Sequence, residues 1–146
     1  MKILIKIIFL NILLFNNCIA NSTENYFDEA VEKYNLKDYK KSKFLFQRNI
    51  VFNPKDADSY LYLAKIYKSE ENQNEEEKNL NTTLLLQPNN EEAIYMLIEI
   101  NLDKSNFSEA NQLLKKFETV CQNFCSKKKQ VKKDLQNLEA KNENKQ

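Results

Sequence analysis

The chain has 146 residues, enough for one domain, and its 29% charged and 42% hydrophobic residues are ordinary for a folded globular or solenoid protein. Lys and Arg total 22 against 21 Asp and Glu, so no overall field draws the chain to nucleic acid or to an anionic membrane. The absence of Gly and His excludes glycine-rich phosphate loops, removes the side chain most used for acid–base catalysis near neutral pH, and argues against most enzyme classes.

The N-terminal segment has the layout of a secretory signal peptide. Lys2 is followed by an apolar run at 3–15 that Lys6 and Asn11 interrupt, and the small residues Cys18 and Ala20 come soon after it. The run is too short to cross the hydrocarbon core of a membrane, which takes about 20 apolar residues. We therefore expect residues 1–20 to be removed on export, leaving a periplasmic protein without a stable membrane span. An uncleaved segment that anchors the chain in the membrane, or a lipid on Cys18, are the alternatives.

Two prolines mark an internal repeat. Pro54 and Pro88 are 34 residues apart, and each ends a stretch of regularly spaced apolar residues, "FLFQRNIVFNP" and "NLNTTLLLQP". Proline ends a helix because it lacks an N–H and crowds the preceding turn. After each proline, apolar residues return at the i, i+3, i+4 spacing of one helix face, at 60–67 and at 94–98. The sequence therefore predicts two helices and two breaks in each period.

This period and its contents resemble the tetratricopeptide repeat (TPR). The stretch "YLYLAKIY" (60–67) fits best, with Ala64 at the small position where two helices approach closely. One period earlier, Ala30 holds the same position. At the small position of the second helices, Ser42 and Ala110 fit the pattern, whereas Glu76 stands where the family has Ala. The resemblance implies an all-α fold, a TPR-like α-solenoid of about three helix-turn-helix repeats plus a C-terminal capping helix.

The resemblance also implies a division of the chain. After the signal peptide expected at 1–20, it gives three repeats at 23–56, 57–90 and 91–124, and a capping helix with a charged tail at 125–146. The stretch 127–141 suits a cap, because one thin apolar stripe runs along an otherwise charged helix. That stripe consists of Val131, Leu135 and Leu138. The basic run here could instead form a nucleic-acid or membrane patch, but Asp134 interrupts it, which favours a solvent-facing surface.

A pair of cysteines, Cys121 and Cys125, lies in "VCQNFCSKK" at the junction of the last repeat and the cap. Loss of Cys18 with the signal peptide would leave this even pair, which an oxidising compartment would join. Without His the pair is a poor metal site, and its C-x-x-x-C spacing differs from the C-x-x-C of thioredoxin-like redox sites. We expect a structural disulfide, with no metal and no cofactor. Because Cβ atoms four residues apart on a helix are too distant for a disulfide, the helix should break between the cysteines.

The resemblance implies a protein-binding function, since the first helices of successive TPR pairs line a concave groove that grips a partner segment. The implied groove residues are Phe27, Val31 and Tyr34 in the first repeat, Leu61, Lys65 and Lys68 in the second, and Tyr95, Glu99 and Leu102 in the third. Tyr34 and Tyr95 would be the main anchors. Lys65 and Lys68 between them would favour an acidic or C-terminal segment. The three residues of the first repeat could instead be covered by the protein's own cap or by a second copy.

We expect a non-enzymatic interaction module that binds another protein in the cell envelope and does not bind nucleic acid. A fixed accessory subunit of an envelope assembly or of a cytochrome-maturation complex is an alternative, and the sequence does not separate the two. A thiol oxidoreductase that uses Cys121 and Cys125 is a third hypothesis, against which the absence of His and Gly argues.

Overall fold

The computed structural model describes residues 25–143, so the predicted signal peptide at 1–20 lies outside the described residues. Within that range the chain forms seven α-helices and one short 3-10 helix and contains no strand, which confirms the predicted all-α solenoid. The helices are α1 (Tyr26–Asn35), α2 (Tyr39–Phe52), α3 (Ala57–Ser69), α4 (Gln73–Leu86), α5 (Glu91–Asp103), α6 (Phe107–Val120), the 3-10 helix (Cys125–Lys127) and α7 (Lys128–Glu143). None of the described helices combines the length and the apolar character needed to cross a bilayer.

The helices form three hairpins, α1 with α2, α3 with α4, and α5 with α6, and each hairpin packs on the next one along the chain. Buried positions recur with the 34-residue period of the sequence. The recurring positions are Ala30, Ala64 and Ile98 in the first helices, and Phe46, Leu80 and Leu114 in the second helices. The buried apolar residues form three clusters: one joins the first and second hairpins, one joins the second and third, and one joins the third hairpin to α7, as the stacking of helical repeats requires.

Side chains and prolines set the helix ends. Four helices begin at an Asn or Asp whose side chain accepts a hydrogen bond from the third residue inside the helix, which satisfies a free N–H group. These capping residues are Asn25, Asp38, Asn72 and Asn90. Helices α2 and α4 end two residues before Pro54 and Pro88, as the sequence predicts.

Each hairpin turn contains one residue in the left-handed conformation. Lys37, Glu71 and Ser105 have φ angles of 61°, 55° and 56° and are spaced one period apart. In all three turns the N–H of the following residue donates to a carbonyl near the end of the first helix, at 2.8–2.9 Å. Since the left-handed conformation costs a residue with a Cβ about 1–2 kcal/mol, the surrounding hairpin must hold these turns.

Helix α7 covers the third hairpin by packing on α5 and α6. Val131 and Leu135 are buried in the same apolar cluster as Phe117. At its first turns, the Lys132 Nζ lies 2.6 Å from a carboxylate oxygen of Glu118 on α6. One buried stripe on an otherwise charged helix is the arrangement that a capping helix needs.

Candidate binding groove

The first helices of the three hairpins surround a hollow of about 280 Å³, here named the tyrosine hollow. It is lined by Tyr34 of α1, Lys65 and Lys68 of α3, Glu92, Tyr95, Met96 and Glu99 of α5, and Phe124 of the loop after α6. Five of the nine groove residues implied by the sequence therefore lie together. These five are Tyr34, Lys65, Lys68, Tyr95 and Glu99.

Aromatic rings form the α1 side of the tyrosine hollow. The Tyr34 ring centroid lies 5.0 Å from that of Tyr62 and 5.5 Å from that of Tyr39. Burial raises the pKa of Tyr34, so this phenol stays protonated and can act as a hydrogen-bond donor. Phe27 and Val31 lie outside the tyrosine hollow and pack on the core of the first hairpin, with the Phe27 ring 5.8 Å from that of Phe46.

Two ion pairs connect α3 to α5 across the tyrosine hollow. The Nζ of Lys65 lies 2.8 Å from Oε2 of Glu92, and the Nζ of Lys68 lies 2.6 Å from Oε2 of Glu99. The other oxygen of Glu99 accepts a 2.5 Å hydrogen bond from the Tyr95 hydroxyl. Burial and this carboxylate raise the pKa of Tyr95 to about 12. The lysines are therefore paired within the chain, which removes the sequence-based reason for expecting an acidic partner.

Two of the implied groove residues, Leu61 and Leu102, lie in the core and not in the tyrosine hollow. Leu61 is 6% exposed and packs with Met96 and Leu97, and Leu102 is 8% exposed and packs with Leu114 of α6. The physical reason is that a first helix in a stacked array also packs against its own second helix and the next hairpin. Only a narrow stripe of each first helix remains free to face a ligand.

Three residues of the tyrosine hollow were not among those that the sequence pattern predicts. Glu92 could have been found, since it lies three residues before Tyr95 and shares its helix face with Glu99. Met96 is 5% exposed and contributes its buried side chain to the floor. Phe124 follows no helical period, and its ring reaches 6.2 Å from the Tyr95 ring because of how its loop folds back.

The two cysteines close the loop that carries Phe124. Their sulfur atoms lie 2.14 Å apart and their Cα atoms 5.2 Å apart. Helix α6 ends at Val120 and the 3-10 helix begins at Cys125, which confirms the predicted break between Cys121 and Cys125. The oxidation state of this pair in the cell stays a prediction. Residues 25–143 contain no group of three or more His, Cys, Asp or Glu side chains placed to hold a metal ion.

Glu91, in the first turn of α5, fastens the same loop. Its carboxylate accepts hydrogen bonds from three consecutive backbone N–H groups, those of Gln122 at 2.5 Å, Asn123 at 3.0 Å and Phe124 at 3.2 Å. Partial burial alone would raise the pKa of Glu91, but the three N–H groups together lower it below its ordinary value. Three N–H groups that converge on one anion make a small concave anion site, which here is filled by the chain itself.

No known protein family's sequence model matches the chain, and no curated protein matches it. Solved structures do match its fold. The Yersinia enterocolitica type III secretion translocator chaperone SycD superposes with a TM-score of 0.71 at 18% identity, covering 90% of this chain and 93% of that one. A second SycD structure, in complex with a peptide of the translocator YopD, gives 0.71 and 18%, with coverage of 86% and 99%. PcrH in complex with the chaperone binding region of PopD gives 0.69 and 12%, with coverage of 86% and 97%.

These similarities show a shared TPR-like helical fold. The prediction of an exported, periplasmic protein is contradicted, since the matched chains are type III secretion chaperones. The prediction relied on the order of one charge, a short apolar run and small residues within 1–20. A chain rich in Ile, Lys and Asn can contain that order without being exported, because the signal is compositional and carries no unique structure.

Proposed function

We propose that this protein is a non-enzymatic peptide-binding chaperone that holds a segment of a partner protein along its concave face. In this proposal the stretches 23–56, 57–90 and 91–124 are TPR units, and their first helices contact the partner. The supporting observation is the tyrosine hollow, where side chains of all three first helices meet. Chaperones of the same fold have been crystallised with partner peptides, which also favours a non-enzyme. Nothing in these matches supports an envelope or cytochrome-maturation subunit, and that alternative is set aside.

The chemistry of the tyrosine hollow favours a partner segment with apolar anchors. Its volume, about 280 Å³, lies near the lower limit for ligand pockets, which suits a few side chains of a peptide rather than a folded domain. Tyr34 and Tyr95 offer large rings with polar tips, a residue type that is common at binding hot spots. Because the lysines already pair with Glu92 and Glu99, a neutral segment leaves both ion pairs intact.

Site-directed photocrosslinking in the native host tests this proposal. A benzophenone amino acid replaces Tyr34 in one variant and Leu85 in another, since Leu85 of α4 is 81% exposed and does not line the tyrosine hollow. We expect one specific protein to crosslink at position 34 and not at position 85. The crosslinked segment, made as a synthetic peptide, is then titrated into purified protein by calorimetry.

A matched pair of tyrosines separates binding from folding. Tyr34 and Tyr39 belong to one aromatic cluster, but only Tyr34 lines the tyrosine hollow. We expect Tyr34→Ala to weaken peptide binding about tenfold, equivalent to about 1.4 kcal/mol, and Tyr39→Ala to change it by less than about twofold. Both variants should lose similar thermal stability. Equal crosslinking at positions 34 and 85, or unchanged binding by Tyr34→Ala, would contradict the groove assignment.

A further inference from the structure

Phe124 lines two neighbouring hollows. The first is the tyrosine hollow. The second has a volume of about 580 Å³ and is here named the acidic hollow. It is lined by the N-terminal ends of α3 and α5 and by the end of α6, and its residues include Asp58 and Glu91. Phe124 and Glu92 belong to the linings of both hollows. The Phe124 side chain therefore stands at their boundary and limits how far a bound segment can run from one into the other.

Contacts at both ends and along the backbone hold the loop of Phe124 in place. Cys121 and Cys125 join its two ends, and Glu91 binds the three N–H groups between them. The Nζ of Lys127, just beyond the loop, lies 5.8 Å from the Tyr95 ring centroid. The Tyr95 ring is thereby covered on the side of the loop by Phe124 and Lys127.

We propose that Phe124 is a gate that sets the length of the partner segment that the groove accepts. The gate is closed while the Cys121–Cys125 disulfide and Glu91 hold its loop, and it opens when the disulfide is reduced. Opening moves Phe124 away from the boundary and joins the tyrosine hollow to the acidic hollow. The binding role of the joined hollow rests on the proposed function, whereas the movement of the loop does not.

The covalent bond matters because this loop has no regular secondary structure between α6 and the 3-10 helix. With the disulfide intact, the two ends of the loop are fixed. The loop therefore loses little further conformational entropy when its three N–H groups point at Glu91. Without it, the hydrogen bonds alone must offset the conformational freedom that the loop regains. The loop then spends much more of its time away from Tyr95.

The reaction is an ordinary thiol–disulfide exchange with a dithiol reductant. A thiolate of the reductant attacks Cys121 or Cys125 and forms a mixed disulfide, and the second thiol of the reductant then displaces it. Two electrons and two protons pass to the protein, which gains two thiols, and the reductant becomes a disulfide. The gate therefore responds to the balance of dithiols and disulfides around the protein.

Amide hydrogen exchange on the full chain tests the gate without any partner. A Cys18→Ser background confines thiol chemistry to the pair, and thiol titration before and after dithiothreitol establishes its state. We expect reduction to accelerate exchange at the amides of Gln122, Asn123 and Phe124 at least tenfold and to leave the core amides of α3 unchanged. Unchanged exchange at these three amides with two titrated thiols would overturn the gate.

Glu91 and its neighbour Glu92 provide a matched control. Glu91→Gln removes the charge that binds the loop, so exchange at the three amides should rise several-fold even with the disulfide intact. Glu92→Gln removes a charge one residue away that pairs with Lys65 and makes no bond to the loop, so exchange there should not change. An equal response of the two variants would contradict the role of Glu91.

A tryptophan reporter checks the side chain itself, because the sequence contains no Trp. In a Phe124→Trp variant, reduction should shift the fluorescence emission to the red as the indole enters water, whereas the exposed control Leu36→Trp should not respond. An unchanged emission of Phe124→Trp on reduction would contradict the movement. Once the partner is known, reduction should favour a longer peptide over a shorter one by about tenfold. If no peptide binds, the proposed function fails while the exchange and fluorescence results still decide the gate.

Discussion

The Lys65–Glu92 ion pair allows a quantitative test of how the tyrosine hollow is held together. The two charged atoms lie 2.8 Å apart, and the side chains are only 21% and 29% exposed. The chain offers a matched control in Lys78–Glu75 on α4, where the atoms lie 3.3 Å apart and the side chains are 70% and 38% exposed. We expect a coupling free energy of about 1 kcal/mol for the first pair and about 0.3 kcal/mol for the second.

These magnitudes follow from how solvent screens each pair. At an effective dielectric constant of about 20, two unit charges 4 Å apart attract by about 4 kcal/mol. The costs of desolvation and of lost side-chain freedom offset most of that attraction. Lys65 also places its Nζ 4.9 Å from the centroid of the Tyr62 ring, an attraction worth about 0.5–1 kcal/mol. That attraction adds to the effect of Lys65→Met, but a double-mutant cycle cancels it because it does not depend on Glu92.

The assay is urea denaturation followed by far-UV circular dichroism. The first cycle uses the wild type, Lys65→Met, Glu92→Gln and their combination, and the second uses Lys78→Met and Glu75→Gln in the same way. Equal denaturant slopes across each cycle establish that the free energies of unfolding can be compared. A coupling for Lys65–Glu92 no larger than that for Lys78–Glu75 would refute the view that partial burial strengthens this pair. Raised salt should weaken the exposed pair proportionally more.

Three further predictions concern the stability of the fold. Phe46→Ala should lower the free energy of unfolding by about 3–5 kcal/mol, and Phe44→Ala by less than about 0.5 kcal/mol, because Phe46 is fully buried and Phe44 is 57% exposed; urea denaturation measures both. Burial raises the pKa of Glu76 in the folded protein above its unfolded value of about 4.3. The ionised carboxylate therefore destabilises the fold at pH values above the folded-state pKa, and this cost is absent below the unfolded pKa. Glu76→Gln should therefore raise the melting temperature at pH 7 but not near pH 3. Thiol titration of protein purified without reductant should find neither Cys121 nor Cys125 free, and reduction should lower the free energy of unfolding by less than about 3 kcal/mol because the loop is short; two free thiols together with unchanged melting on reduction would count against the disulfide.

The sequence was sufficient for the fold because its signals repeat. Pro54 and Pro88 end helices one period apart, and the apolar residues between them keep the spacing of one helix face. The left-handed turns at Lys37, Glu71 and Ser105 follow the same period, although none of these residue types favours that conformation. In a chain without Gly, the period was therefore a better guide to the turns than residue type.

The groove was predicted less completely, because its residues depend on distances between helices. Periodicity identified the face that contains Tyr34 and Tyr95, but it did not show that Leu61 packs on the next hairpin and lines the acidic hollow instead of the tyrosine hollow. It also could not show that Lys65 finds a carboxylate on α5. Phe124 was out of reach for a different reason, since a loop held by a disulfide and three hydrogen bonds has no periodic pattern to follow.

The charges in the tyrosine hollow bear on which segments it can select. Lys65 and Lys68 balance Glu92 and Glu99, so the hollow carries no net charge to attract a distant partner. A partner with an acidic residue here would share a lysine with a carboxylate of α5 and leave one negative charge in excess as water is excluded, which is unfavourable. A neutral segment with apolar side chains keeps both pairs, covers the rings of Tyr34 and Tyr95, and gains from excluding water. Under the proposed function, the ion pairs therefore act against charged competitors more than they attract the correct partner, a form of selectivity that depends on repulsion as well as attraction.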